Sequence, residues 1–469
     1  RDHQIILGHR RLSIVDLTSA GQQPMQTSSG NQWITYNGEV YNHTTLRTEL
    51  GDTPFKGHSD TETILYYLSK KGIDAIRSLN GIFAIGLVDI EAAALYLIRD
   101  PFGVKPLYYW TKGNSLIFSS EIKPIQNIVH DTFNVDHLSS LLTLRYLPSP
   151  ITLFNSIKKV RPGHVIKVDL RDENLKVTEF SYIDEAPEKL KISFEDAENE
   201  YGKLVTQSIN RQLMSDVEIG ILLSGGIDSA IIAKCAQKNT GYRMKAFTVG
   251  FDGSSEVDEI SDAKQTADII GLDHYTVNMG FEDFLHNLKE CIDIVEEPIA
   301  TTSMVPMFFL SELASRYVKV VFAGQGADEP LGGYGRYQGE LLQKYVPVSL
   351  VPSLKYFMNK LGIKNDQAMR FLHAVESTND IQRFQKIYEV FNPNEIESLI
   401  GKYNHHSELA IKYFYELLGC HKLEQSVDRL MALDARMNLS DDLLLYTDKI
   451  TMHHSLECRV PMLDLELIK

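Results

Sequence analysis

The stretch Ile219-Gly220-Ile221-Leu222-Leu223-Ser224-Gly225-Gly226-Ile227-Asp228-Ser229 decides how this chain is read. Its apolar run reads as a buried strand, the paired glycines as a turn, and Ser229 as the start of a helix. Adjacent glycines let backbone N–H groups approach phosphate oxygens with no Cβ in the way, and the following helix aims its positive end at the same point. Ser224 and Ser229 add hydroxyl donors. Asp228 is out of place beside a polyanion unless a divalent cation stands between them, which makes it a candidate Mg2+ ligand. No Gly-x-x-x-x-Gly-Lys-Ser/Thr occurs in the chain, so a loop that grips a γ-phosphate for transfer is disfavoured. A plain strand-to-helix turn is the alternative, and two later segments weigh against it.

The first follows an expected strand at 318–322 and reads Ala323-Gly324-Gln325-Gly326-Ala327-Asp328-Glu329-Pro330-Leu331-Gly332-Gly333-Tyr334. Ligands of open α/β sheets sit beyond the carboxyl ends of strands, where Asp328 offers a second carboxylate for the metal. The second reads Asp448-Lys449-Ile450-Thr451-Met452-His453-His454-Ser455-Leu456-Glu457-Cys458-Arg459. Lys449 is a compact cation suited to the charge on a leaving pyrophosphate. Glu457 and Arg459 are expected to pair. His453 and His454, adjacent on a helix and unable to face one metal, read as surface or packing residues.

The 469 residues exceed one ordinary core and imply two or three domains. The net charge of −15 argues against binding nucleic acid or an anionic membrane. The four cysteines, Cys235, Cys291, Cys420 and Cys458, show no paired spacing, so cytosolic thiols and a cytoplasmic location are expected. No apolar run approaches a membrane span. Arg1-Asp2-His3-Gln4 is not a signal peptide, and both ends read as cut, so a fragment is expected.

Strand-like runs at 32–36, 82–88, 95–98 and 115–118, with one clear helix from Ser59 to Gly72, suggest an α+β sandwich in the first half. A charged, proline-bearing linker is expected at 184–191. Beyond it a helix at 194–212, strands at 217–223 and 245–249 and the strand at 318–322 give an α/β pattern with a parallel sheet. The last part reads as mostly helical.

The Ser-Gly-Gly-x-Asp-Ser loop resembles that of ATP pyrophosphatases, which cut ATP between the α- and β-phosphates. In their order, the three segments resemble the synthetase domain of glutamine-dependent asparagine synthetases. Upstream, Arg11-Leu12-Ser13-Ile14-Val15-Asp16, Tyr36-Asn37-Gly38-Glu39-Val40-Tyr41-Asn42, Gly57-His58-Ser59-Asp60 and Arg99-Asp100-Pro101-Phe102-Gly103-Val104-Lys105-Pro106-Leu107-Tyr108 resemble that family's N-terminal-nucleophile glutaminase domain.

The resemblance implies an αββα sandwich over 1–185 and an α/β parallel-sheet ATP-pyrophosphatase domain with a helical C-terminal part over 186–469. It implies that Arg11 holds the glutamine carboxylate, that Asn37 and Gly38 form the oxyanion hole, and that Glu39 and Asp60 hold the α-amino group. Leu223, Ser224, Gly225, Gly226, Asp228, Ser229, Val249, Gly324 and Lys449 would bind ATP and pyrophosphate, with Asp228 and Asp328 on Mg2+. Asn37-Gly38 is also a common hairpin turn, and Asp60 a common helix-start acid. Glutamine, aspartate and ATP are the expected partners, and a homodimer is among the assemblies the resemblance allows.

The implied reaction makes asparagine through an aspartyl-adenylate. The family's nucleophile is an N-terminal cysteine, which residues 1–469 do not include, so the chain as it stands is expected not to hydrolyse glutamine. Where the family pattern has Gly-Glu-Gly, this chain has Gly324-Gln325-Gly326. An amide cannot act as a base but can orient an acyl-adenylate. Glu297-Pro298 and Thr301-Thr302-Ser303 mark the expected neighbourhood of the acceptor. The alternatives are an amidotransferase for another carboxylate, on a cell-surface sugar or a secondary metabolite, and a non-catalytic nucleotide-binding relative.

Overall fold

Alternating side chains and short turns make the first half a pair of antiparallel sheets. In chain order it comprises β1 (Met25–Gln26), β2 (Gln32–Val40), α1 (His43–Glu49), α2 (Asp60–Lys71), β3 (Gly81–Asp89), β4 (Ala94–Arg99), β5 (Tyr108–Lys112), β6 (Ser115–Ser119), α3 (Ile122–Val129), α4 (Leu138–Leu144), β7 (Lys158–Lys159), β8 (His164–Asp169) and β9 (Lys176–Ser181). Six strands run in the order β1-β2-β3-β4-β8-β9 and three in the order β6-β5-β7. The two-residue period sends Ile34, Tyr36, Ile85 and Leu87 to one face, under α1 and α2. Ala84, Val88, Leu97 and Ile166 go to the other, against Leu107 and Tyr109. Ile122 and Ile125 of α3 then pack with Tyr108 and Ile117 on the outer side of the smaller sheet. The layers are helix, sheet, sheet, helix, as the resemblance implies. The helices α1, α3 and α4 are additions to the one helix read from sequence. At seven or eight residues each they are too brief to show a period and depend on tertiary packing.

This computed structural model describes residues 3–186, 190–253, 259–362 and 365–469. The expected linker at 184–191 lies partly outside the described residues.

The second half continues with α5 (Phe194–Gln212), β10 (Ile219–Leu222), α6 (Ile227–Asn239), β11 (Lys245–Phe251), α7 (Ile260–Ile270), β12 (Asp273–Met279), α8 (Phe281–Val295), α9 (Met304–Ser315), β13 (Val320–Phe322) and, far along the chain, β14 (Glu457–Arg459). All pairings in this sheet are parallel, in the order β12-β11-β10-β13-β14. Ile219, Ile221, Val320 and Phe322 pack under α5, α6 and α7, while Leu222, Phe247, Val321 and Cys458 pack against Leu310 and Ala314 of α9. Helix α6 starts at Ile227, two residues before the expected Ser229, with Gly226 as its cap. Two strands of this sheet escape the sequence reading, as do β1, β5, β7, β8 and β9 of the first half. β12 is half polar, and the three residues of β14 follow a helix so closely that they read as its charged end.

The sheet sets the site. β10 has β11 on one side and β13 on the other, so the loops leaving β10 and β13 diverge and open a crevice at their carboxyl ends. The two halves are joined by buried polar bonds. Lys105 Nζ pairs with Asp448 at 2.7 Å, and Lys159 Nζ pairs with Glu297 at 2.9 Å. The Tyr108 hydroxyl donates to Glu297 at 2.6 Å. Asp100 aims this interface, because its carboxylate accepts from the backbone N–H groups of Phe83, Phe102, Val104 and Lys105.

Candidate active site

Two cavities hold the residues singled out from sequence. The first, about 580 Å³, opens along β2, and Arg11, Asn37, Gly38, Glu39 and Asp60 line it together with Asp448, Lys449 and Glu457 from the other half. Asn37 and Gly38 lie inside β2, opposite Ala84 and Phe83, and do not form a hairpin turn. Gly38 has φ 143°, and a Cβ there would overlap the Ile82 carbonyl oxygen and stand 2.7 Å from Phe83 Cα. Only glycine fits. Asp60 opens α2 after Ser59, whose side chain caps the helix by accepting from the Glu62 N–H. One Asp60 oxygen accepts from the Tyr36 hydroxyl at 2.6 Å and the Val40 N–H at 3.0 Å. The other accepts from the Thr61 N–H at 2.7 Å.

Glu39 is the unsatisfied member of this group. Its Oε2 is 3.5 Å from Arg459 Nη2, and its buried Oε1 has no hydrogen-bond partner among the described residues. Burial, and then the neighbouring Asp60 carboxylate, push its carboxyl well above the usual carboxylate range. An orphaned buried carboxylate oxygen is a good receptor for a ligand's ammonium group. Arg11 lines the cavity while its terminal nitrogens donate to the carbonyls of Val15 at 2.8 Å, Asp16 at 2.6 Å and Thr18 at 3.3 Å.

The second cavity, about 340 Å³, lies in the crevice beyond β10 and β13. Leu223, Ser224, Asp228, Ser229, Val249, Gly324, Gln325 and Asp328 line it. The turn is held by its serines: the Ser224 N–H donates to Ser229 Oγ at 3.2 Å, and the Gly226 N–H donates to Ser224 Oγ at 3.1 Å. The Gly225 N–H donates to Glu259 Oε2 at 3.4 Å, and Glu259 lines the same cavity, so a carboxylate oxygen stands where a phosphate oxygen would bind. Glu259 gave no signal in the sequence, being 34 positions from its partner. Gly324 lets the second loop close on the first, since a Cβ there would stand 3.3 Å from Asp228 Cβ. Burial and the facing Asp328 raise the Asp228 carboxyl. No group of three or more His, Cys, Asp or Glu poised for a metal occurs among the described residues. Two facing carboxylates nevertheless fit Mg2+ held jointly with phosphate oxygens and water. Gln325 Nε2 donates to Thr447 Oγ1 at 2.8 Å, and its buried Oε1 has no partner among the described residues.

The helix Leu444–His453 lines the first cavity with Asp448, Lys449, Met452 and His453, while Leu443, just before it, lines the second and its Thr447 accepts from Gln325 of that cavity. Lys449 thus stands apart from the phosphate loop, its Nζ paired with Glu296 Oε2 at 2.6 Å. The expected pair of Glu457 and Arg459 forms at 2.8 Å, in a strand. Glu297, placed near the acceptor from sequence, has both oxygens engaged by Tyr108 and Lys159 of the first half, so it serves the interface. His454 packs edge-on against Phe308 at 4.6 Å, a packing role as read.

Residues 1–181 match the family described as glutamine amidotransferase domain, and residues 200–469 match that described as asparagine synthase. The chain is 32% identical over 482 residues to asparagine synthetase (glutamine-hydrolyzing) 1 of Bacillus subtilis, covering 99% of this chain and 73% of that one. A putative asparagine synthetase (glutamine-hydrolyzing) of Mycobacterium tuberculosis is 30% identical over 99% of this chain and 72% of its own length. An amidase of Gibberella zeae, chry2, is 30% identical over 73% of this chain and 53% of its own. The first cavity is built mainly by the amidotransferase region, the second falls within the synthase region, and the chain belongs to the asparagine synthase family.

Proposed function

We propose that this protein is a ligase that makes asparagine from aspartate, ATP and glutamine-derived ammonia, with glutamate, AMP and pyrophosphate as the other products. The observation that carries this reading is the adjoining of two cavities: the helix Leu444–His453 lines one suited to an amide donor and, through Thr447, holds Gln325 of one suited to a nucleotide. The functional units divide at 185/186, and the four unpaired thiols fit a cytoplasmic setting. Among the described residues no helix is long and apolar enough to cross a membrane.

In the first cavity, Asn37 and Gly38 polarise the glutamine carbonyl, Glu39 and Asp60 receive the α-ammonium, and Arg11 receives the carboxylate. In the second, an aspartate side-chain oxygen attacks the α-phosphorus, the bond to the β-phosphate breaks, and pyrophosphate leaves. The backbone N–H groups of Gly225 and Gly226 and the hydroxyls of Ser224 and Ser229 hold the phosphates. Leu223, Val249 and Gly324 shape the rest of the nucleotide site. Asp228 and Asp328 hold Mg2+, which when bound neutralises charge on the phosphates. Ammonia then attacks the acyl carbon, the bond to AMP breaks, and the proton released from nitrogen leaves with AMP or to water. Gln325, anchored by Thr447, presents its Oε1 to the incoming nitrogen as an acceptor.

That orphaned amide oxygen also favours a second reading, amidation of a different carboxylate whose N–H or O–H donor satisfies it. Incubation with ATP, Mg2+, aspartate and ammonium, with pyrophosphate and asparagine measured, tests the choice. Both products are expected. Pyrophosphate release that needs a carboxylate other than aspartate would establish the second reading and sink the first.

A further inference from the structure

A third cavity, about 340 Å³, lies between the two halves and shares no lining residue with the other two. Phe102, Ile183, Pro330, Leu418, Met431 and Leu463 give it a largely apolar wall. The charged groups that line it are answered, with one exception. Arg77 and Lys469 both pair with Asp184, at 3.4 and 3.2 Å. Glu185 pairs with Lys422, and Asp428 is engaged as well. Glu329 accepts from the Tyr334 hydroxyl, and burial pushes its carboxyl to about 7, so it holds its proton below neutrality.

Arg436 is the exception. Its Nη1 donates to the Pro101 carbonyl, and its guanidinium stands 4.3 Å from the centre of the Phe102 ring. Among the described residues it has no ion-pair partner. Asp100, Asp184 and the Tyr182 hydroxyl act on it only from further off, and both carboxylates are already occupied, Asp100 by four backbone N–H groups and Asp184 by two cations. Burial lowers the guanidinium to about 10 from 12.5, which leaves it charged at neutral pH. A cation among apolar walls without a counter-ion is costly, and one carbonyl and a ring face meet only part of its demand. A carboxylate meets the rest, because it matches the guanidinium fork with two parallel bonds. We propose that this cavity binds a small monocarboxylate with an apolar body, of the medium-chain fatty acid class, its carboxylate on Arg436 and its chain against Phe102, Leu418 and Met431. The volume lies at the lower end of the range for small-ligand sites and admits one such molecule. The proposed reaction does not use this cavity, so the inference stands apart from the identity of the amidated carboxylate.

The test is isothermal titration calorimetry of the full chain with octanoate at about pH 6.5, where octanoate is ionised and Glu329 mostly protonated. Saturable binding of one octanoate per chain is expected. Octanol and octylamine carry the same tail without the carboxylate and should bind about tenfold more weakly or worse. Arg436→Met keeps an unbranched apolar stem and removes the charge. It should weaken octanoate by about tenfold or more and leave the melting temperature unchanged or higher, because a charge without a partner has gone. Ala432→Phe, on the helix Ser426–Asp434, fills the cavity and should weaken octanoate and octanol alike. Absence of saturable binding overturns the proposal. So does equal affinity for octanol or octylamine, or an affinity for octanoate that Arg436→Met leaves unchanged. If Arg436→Met does not fold, the three ligands and Ala432→Phe decide: octanoate binding that Ala432→Phe does not weaken lies elsewhere and overturns the assignment.

Discussion

The Arg459 guanidinium reaches Glu39 across 420 positions of sequence, 3.5 Å from its carboxylate, while its other nitrogens donate to Glu457 at 2.8 Å and to the carbonyls of Gln212 and Met214, each at 2.6 Å. Its own carbonyl accepts from the Ala323 N–H at 2.9 Å, at the entrance to the Gly324 loop. One fully buried residue therefore touches the amide-donor cavity with its side chain and the nucleotide loop with its backbone. Replacing it with alanine leaves two buried acids and two carbonyls without their donor. Arg459→Ala is expected to lose about 3–5 kcal/mol of stability, read from denaturant unfolding. Arg459→Lys should lose less, yet weaken glutamine binding, because an ammonium cannot span all of these acceptors. An unchanged dissociation constant for glutamine would separate Arg459 from Glu39.

Gly38 allows a sharper division between the cavities. With no room for a Cβ against Ile82, Gly38→Ala must part β2 from β3 at the floor of the first cavity. Loss of glutamine binding is expected, with a stability cost of about 1–3 kcal/mol. Ammonia-dependent synthesis should survive, since the second cavity stands on another sheet. Loss of ammonia-dependent synthesis as well would contradict that independence.

For Asp228 and Asp328, rate and stability should move in different directions. Burial and then the facing Asp328 disfavour the charged form of Asp228. Asp228→Asn and Asp328→Asn should therefore leave the melting temperature unchanged or higher. Pyrophosphate exchange should fall by roughly 100-fold or more, with a raised Mg2+ requirement. A variant that keeps its Mg2+ response would remove that residue from the metal site.

Glu329 supplies a pH signature. Its Oε1 accepts from the Tyr334 hydroxyl at 3.0 Å, its buried Oε2 has no partner among the described residues, and burial pushes its carboxyl to about 7 from 4.5. Between those values the folded protein keeps a proton that the unfolded chain has lost, so stability falls as pH rises through the window. The loss reaches about 3 kcal/mol at most above it. Glu329→Gln should match wild type near pH 5 and exceed it at pH 8, as unfolding free energies at a series of pH values will show. Parallel curves would reject the assignment.

Local chemistry was legible in the residues themselves. The Ser224–Ser229 turn brings its donors to one point within a few bonds of each other, and Gly-Gly followed by a helix permits little else. The apolar runs at 32–36 and 82–88 likewise mark strands, the second buried on both faces. Boundaries slipped where neighbours decide them: α6 begins at Ile227 because Gly226 caps it, and the three residues of β14 become a strand only because β13 offers its edge.

The sequence by itself determined the layered first half, the parallel-sheet second half and the residue types at each candidate site, since hydrophobic period and glycine turns act over a few residues. Tertiary structure alone decided that Glu39 answers to Arg459, that Glu297 serves the interface, that Glu259 meets the glycine loop, and that Lys449 lies with Glu296 rather than beside that loop. Those contacts close loops of tens to hundreds of residues. Their partners are chosen by which buried charges the packed halves leave to be satisfied, a choice that local sequence does not carry.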